Sequence, residues 1–211
     1  MRKKLYAIGF SILASALLAL SCSTSKISVN RGELEKVDTM AIMNFDRAPG
    51  IPREIAVECE EAFRGHFLDA GKRVVERARI RSIIGEVERA QSGLVSNSEE
   101  IGRLTGAGAL LFGSVTRHGE EVKWVNYNEY VKDPVTGKSV KVQRRKRKKF
   151  FAFQVQARLV STVNGSTILT IANDRPERSY EITDSMTLGR MRGYVLNQMG
   201  KDLKKAFEEK E

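Results

Sequence analysis

Hydrophobic positions along this chain follow three regimes: one continuous run, then alternating strand and helix periods, then strand periods interrupted by a long polar stretch. Leu5 to Leu20 carries no charge, and the polar segment Ser23 to about Lys36 reads as a tether. Thr39 to Phe45 is a short apolar run ending at Asp46, which has the length and composition of a buried strand. After the turn Ala48-Pro49-Gly50, Pro52 suits the first turn of a helix, where its missing N–H has no partner to lose. Ile55, Cys59, Ala62, Phe63, Phe67 and Ala70 then recur at three- and four-residue spacing as one face of that helix, and Gly71 is placed to end it.

Lys72 to Arg77 reads as a short strand, and Ile80, Ile83, Ile84 and Val87 begin a second amphipathic helix running to Ser92-Gly93. Ser96 with Glu99 forms a capping box for a short third helix through Leu104. From Gly106, "GAGALLFGSV" is a glycine-punctuated apolar strand suited to the centre of a sheet. Strand and helix alternate up to this point, the signature of an α/β layer arrangement.

The second half changes character. Glu121 to Lys149 is polar and basic with weak alternation and a turn signal at Asp133-Pro134-Val135-Thr136-Gly137, and it reads either as a long hairpin or as a partly disordered loop. Phe151, Phe153, Val155, Ala157 and Leu159 then alternate with polar or small residues, a half-buried strand. Asn164-Gly165 is a dipeptide favoured in tight hairpins, with Thr167 to Ala172 as the return strand. A final helix from about Ser185 to Glu209 carries Leu188, Met191, Val195, Met199, Leu203 and Phe207 inward. Its glycines at 189, 193 and 200 cost about 1 kcal/mol each relative to alanine, so either it begins later or a neighbour packs close. The expected fold class is α/β (α+β): a single globular domain over residues 37–211 with a mixed β-sheet flanked by helices, a basic insertion at 121–149 and a C-terminal amphipathic helix.

The first run has an address rather than a fold. Arg2, Lys3 and Lys4 precede it, which makes residues 1–21 an export signal. It closes on Ala19-Leu20-Ser21 and then Cys22, an arrangement that resembles a bacterial lipoprotein box, although Ala19 stands where leucine is most usual. Such a box implies diacylglycerol on the Cys22 thiol and an N-acyl chain, with residues 22–36 as the lipidated tether. Two or three chains hold a protein on a bilayer stably, at about 0.8 kcal/mol per buried methylene. An ordinary secretory signal with an incidental Cys22, or an uncleaved anchor helix, is the alternative.

The formal charge of +10 falls to +7 once Arg2, Lys3 and Lys4 leave with the signal. An exported protein does not meet nucleic acid, so the counter-charges are anionic lipid, wall polymer or acidic partner surfaces. With Cys22 acylated, Cys59 is the only other thiol and no intramolecular disulfide can form. Stability must therefore come from a core, and 41% apolar residues support one.

Candidate chemistry is sparse. Thr136-Gly137-Lys138-Ser139 matches the end of a phosphate-binding loop, but Lys132 stands where its first glycine belongs and no helix pattern follows. His66 and His118 have no second ligand at metal spacing, and Cys59 lies on an apolar stripe as a small core residue. No catalytic set, metal site, cofactor or small-molecule substrate is indicated. The run Arg144, Arg145, Lys146, Arg147, Lys148 and Lys149 is the densest charge cluster; it is either a solvated loop end or a contact for an anionic surface.

The stretch from Lys72 to Thr116 resembles the signature of the CsgG-type lipoprotein family, the curli-secretion proteins and their relatives. The matching residues are Val74-Val75-Glu76-Arg77, Glu86, Ser92-Gly93-Leu94, Gly102 through Ala107, and Leu110 to Val115, with Gly106 and Gly113 among them. The resemblance implies an outer-membrane lipoprotein with a periplasmic α/β domain, in which Glu76 and Arg77 can pair at a strand end and Gly93, Gly102, Gly106 and Gly113 permit close packing. Some members form rings whose hairpins make a secretion channel, and distant LpoB-type relatives activate a penicillin-binding protein. Here Val122 to Val131 and its return arm have no apolar face, so the expectation is a non-enzymatic assembly, secretion or scaffolding accessory. It would be anchored at the outer membrane facing the periplasm, with other envelope proteins or further copies of itself as partners. A channel subunit or a synthase activator stands as the alternative.

Overall fold

Phe151, Phe153, Val155, Ala157 and Leu159, the alternating set, are all buried along one strand at the centre of the molecule. The computed structural model describes residues 25–76 and 104–209. Its strands are β1 (Ser25–Val29), β2 (Thr39–Ile42), β3 (Asp46–Arg47), β4 (Arg73–Val74), β5 (Ala109–Lys132), β6 (Ser139–Ser161), β7 (Thr167–Asn173) and β8 (Glu177–Glu181). They form one mixed sheet in the order β1-β7-β6-β5-β2-β4, with β3 added on β5 and β8 on β6. The β2, β3, β4 and β5 pairings are parallel; β5, β6, β7, β8 and β1 pair antiparallel.

Two helices cover one face. Helix α2 (Arg53–Asp69) buries Ile55, Cys59, Phe63 and Phe67 of the stripe its spacing predicts, with Ala62 and Ala70 half-buried, and Gly71 ends it at φ +74°. Helix α3 (Leu188–Glu208) starts three residues later than the pattern suggests, because Thr187 caps it by accepting the Arg190 N–H at 3.2 Å. Its Gly200 sits against α2: a Cβ there would overlap the His66 ring. Phe63 and Phe67 run in tilted contact at 6.5 Å, and Phe67 meets Phe207 edge-on at 6.0 Å.

Three expectations are corrected. The supposed tether is ordered from Ser25: β1 pairs with β7 as an edge strand, and a short helix α1 (Arg31–Leu34) buries Leu34. Its polar side chains gave no strand signal, because an edge strand is held by backbone bonds and needs few apolar residues. The strand expected at 39–45 breaks after Ile42 and resumes as β3. The Asn164-Gly165 turn is wider than a two-residue hairpin, since the Gly165 N–H reaches the Ser161 carbonyl at 3.1 Å. The helices expected over 80–92 and 96–104 lie outside the described residues, Leu104 excepted.

Candidate functional site

The stretch that read as hairpin or loop is a hairpin. Beyond the body of the sheet β5 and β6 stay paired from Val122↔Lys149 to Lys132↔Ser139. Strand β8 covers β6 only between Lys148 and Ala152, and β3 leaves β5 at Val115. From Trp124 and Arg147 outward the ribbon is therefore two strands alone, about 30 Å long at the usual rise per residue. The turn is closed by Asp133, whose carboxylate accepts the Val135 and Thr136 N–H groups, and by Gly137 at φ +66°. Those N–H bonds, that from Thr136 first, hold the Asp133 pKa below its ordinary value.

A two-stranded ribbon is marginal in water unless something buttresses it. Here Phe151 packs on Tyr180 of β8 at 5.4 Å, and Arg178 lies over the Tyr194 ring of α3 at 5.0 Å. Between the end of β7 and the start of β8, the buried Asn173 side chain accepts the Val155 N–H and donates to the Phe153 carbonyl, both at 2.9 Å. Arg192 of α3 ties the base together, donating to both Glu58 oxygens at 2.8 and 2.5 Å and to His118 Nε2 at 3.1 Å. Burial first, and then the Arg192 charge, lower the His118 pKa, and because a guanidinium only donates, Nε2 is the acceptor.

The register sorts the ribbon's side chains onto two different faces. One carries Lys123, Val125, Tyr127, Glu129 and Val131 with Lys148, Lys146, Arg144, Val142 and Val140. Each of its cations is paired: Lys123 with Glu121 at 2.8 Å, Arg144 with Glu129 at 2.7 Å, and Lys146 and Lys148 with Glu181 at 2.8 and 3.4 Å. The bond to Glu181 raises the Lys146 pKa, and the same bond lowers that of Glu181. The other face carries Trp124 and Tyr130, 60% and 70% exposed, with Lys132, Lys141, Arg145 and Arg147. It holds no carboxylate, and among the described residues none of these four cations has an acidic partner. Arg145 instead lies over the Trp124 ring at 5.7 Å.

Ten cations and three carboxylates between Glu121 and Lys149 give this hairpin a net charge of +7. With Arg2, Lys3 and Lys4 set aside, the rest of the chain is balanced, so the whole excess sits on the ribbon. Residues 69–206, about two thirds of the chain, match the family model described as curli production assembly/transport component CsgG. The chain belongs to the CsgG family. Solved structures with a similar fold include the PelC dodecamer from Paraburkholderia phytofirmans (14% identity over 89% of this chain and 99% of that one, TM-score 0.46). Others are lipoprotein GNA1162 from Neisseria meningitidis (15%, 77% and 98%, 0.46) and the LpoB C-terminal domain from Salmonella enterica (14%, 81% and 93%, 0.38). No curated protein matches the chain.

Of the CsgG signature residues, Glu76 pairs with Arg64 of α2 at 2.8 Å, while Arg77, Gly93 and Gly102 lie outside the described residues, as does Cys22. Gly106 adopts φ +69° with open space around it, so it serves the backbone; a Cβ on Gly113 would overlap the Phe45 ring, so it serves packing. The six-residue basic run divides between the ribbon faces, Arg145, Arg147 and Lys149 on one and Arg144, Lys146 and Lys148 on the other. Lys149 spends its charge locally, donating to the Asp184 carbonyl at 2.7 Å. The lysine of Thr136-Gly137-Lys138-Ser139 sits in the hairpin turn.

Among the described residues no group of three or more His, Cys, Asp or Glu could hold a metal ion, and no helix is long and apolar enough to cross a membrane. His66 donates from Nε2 to the Leu196 carbonyl at 3.0 Å, and burial lowers its pKa. Cys59 is fully buried, and desolvation, helped by Glu58, pushes its thiol up to about 12. Since the thiolate is the nucleophile, Cys59 is expected to resist iodoacetamide in the native protein at pH 8 and to react on denaturation, read by mass. What the sequence pattern missed is the β8 buttress and the segregation of paired from unpaired cations; the signal for the second is the parity of cation positions on either side of the Asp133 turn.

Proposed function

We propose that this CsgG-family protein is a non-enzymatic envelope lipoprotein, acylated at Cys22 and held on the periplasmic side of the outer membrane. It serves assembly or secretion as an accessory, and the projecting basic ribbon is its working surface. The observation that carries this reading is the concentration of the chain's excess charge on one exposed, buttressed ribbon.

The family's channel-forming members supply the second reading, and ribbon length favours it: nine residues per free arm is what a membrane strand needs. The chemistry opposes it. A barrel strand presents an apolar set to lipid, whereas here both faces carry lysine and arginine. The order of β1 also opposes an activator reaching through the wall, because only Ser23 and Thr24 separate Cys22 from the sheet.

The test is intact-mass analysis of the N-terminal peptide from the membrane fraction, with light scattering on the detergent-extracted protein. Expected are diacylglyceryl and N-acyl groups on Cys22, release of a Cys22→Ser variant from membranes, and a monomer or small oligomer. A ring of many copies would overturn the accessory reading in favour of the channel.

A further inference from the structure

The ribbon leaves the sheet at the end where β1 begins. β1 is antiparallel to β7, which is antiparallel to β6, so β1 and β6 run the same way. Ser25 stands level with Asn173, whose side chain bridges Phe153 and Val155, and β6 reaches that level from the ribbon. Ser25, the first residue of β1, therefore stands at the end of the sheet from which the ribbon projects. Ser25 is buried and its hydroxyl is bonded to Asp202 of α3, so the sheet holds this end of the segment.

Three residues from Ser25 to Cys22 span at most about 11 Å. From the level of Val155 the paired strands continue to the Asp133 turn for about 60 Å, of which the outer half is the free ribbon. An acylated Cys22 thus brings the bilayer surface near Ser25, and a ribbon running straight on would enter hydrocarbon, which its charged faces forbid. Lying across the surface satisfies both constraints.

Resting on the acylation of Cys22 proposed above, we infer that the ribbon lies on the membrane that anchors the protein, with the Trp124, Tyr130, Lys132, Lys141, Arg145 and Arg147 face against anionic headgroups. This face has four cations without acidic partners among the described residues, and two exposed aromatics of the kind that settle at headgroup depth. The opposite face has each of its four cations paired with Glu121, Glu129 or Glu181, which leaves it one net charge, and it is turned toward the periplasm.

Trp124 is the only tryptophan in the chain, so its fluorescence reports this face directly. The Cys22→Ser protein without residues 1–21, and so without signal or acyl chains, is added to vesicles of phosphatidylcholine with or without phosphatidylglycerol. Only the anionic vesicles should shift Trp124 emission to the blue, and lipids brominated near the headgroup should quench it. Replacing Lys132, Lys141 and Arg147 with glutamine should weaken apparent affinity on the order of 100-fold. Replacing Lys123, Arg144 and Lys146, an equal loss of charge, should change it only a few-fold, with circular dichroism confirming that both variants fold. Equal losses in the two variants, or no shift on anionic vesicles, would overturn the assignment. So would a shift on a soluble anionic glycan without one on vesicles, which would make wall polymer the ligand. The mass of the Cys22 peptide decides the anchor separately.

Discussion

Replacing Gly113 with alanine is expected to lower folding stability by about 3 kcal/mol, the upper part of the range for overpacking a filled core. Gly113 lies mid-strand in β5 outside the left-handed region, so its backbone tolerates any residue; the cost is steric. The added methyl would overlap the Phe45 ring, which is itself buried and packed 5.6 Å from Phe63. That ring has little freedom, because the Phe45 N–H donates to the buried Glu60 carboxylate at 2.8 Å. Chemical denaturation gives the loss, and a double-mutant cycle gives its cause. Phe45→Ala alone should cost about 3–5 kcal/mol as a cavity, and the pair should cost less than the sum by about 1–3 kcal/mol, since the methyl then occupies vacated space. Strict additivity would mean that the methyl is accommodated elsewhere.

Asn173→Ala is expected to cost about 3 kcal/mol by a different route. It strips the partners from the Val155 N–H and the Phe153 carbonyl in the centre of β6, and an unsatisfied buried polar group costs about 1–3 kcal/mol. Asn173→Asp keeps an acceptor for Val155 but offers no donor to Phe153, so it should recover little. The discriminating reading is amide exchange at Val155, which should accelerate in the alanine variant. A neutral variant with Val155 still protected would mean that a water takes over both bonds. Since Asn173 bridges the gap between β7 and β8, the same change should loosen the buttress of the ribbon, whose Trp124 emission offers a second readout.

The sequence by itself determined the parts of this protein whose signal is local. The inward stripes of α2 and α3, the alternation from Phe151 to Leu159 and the Asp133 turn all follow from the period of side-chain placement within one element. The excess charge of the ribbon is equally legible, being a matter of counting. Only the tertiary structure decided what depends on strands meeting across long separations. The order from Ser25 comes from pairing with β7, whose residues lie far along the chain, and that pairing sets the start of β1 at the end of the sheet from which the ribbon projects. The packing role of Gly113 is set by a ring from the β2–β3 segment. The sorting of cations is set by register, which puts alternate residues on opposite faces, and by Glu181, which β8 brings across to Lys146 and Lys148. Periodicity fixes which way a side chain points; its partner is fixed by how the sheet closes.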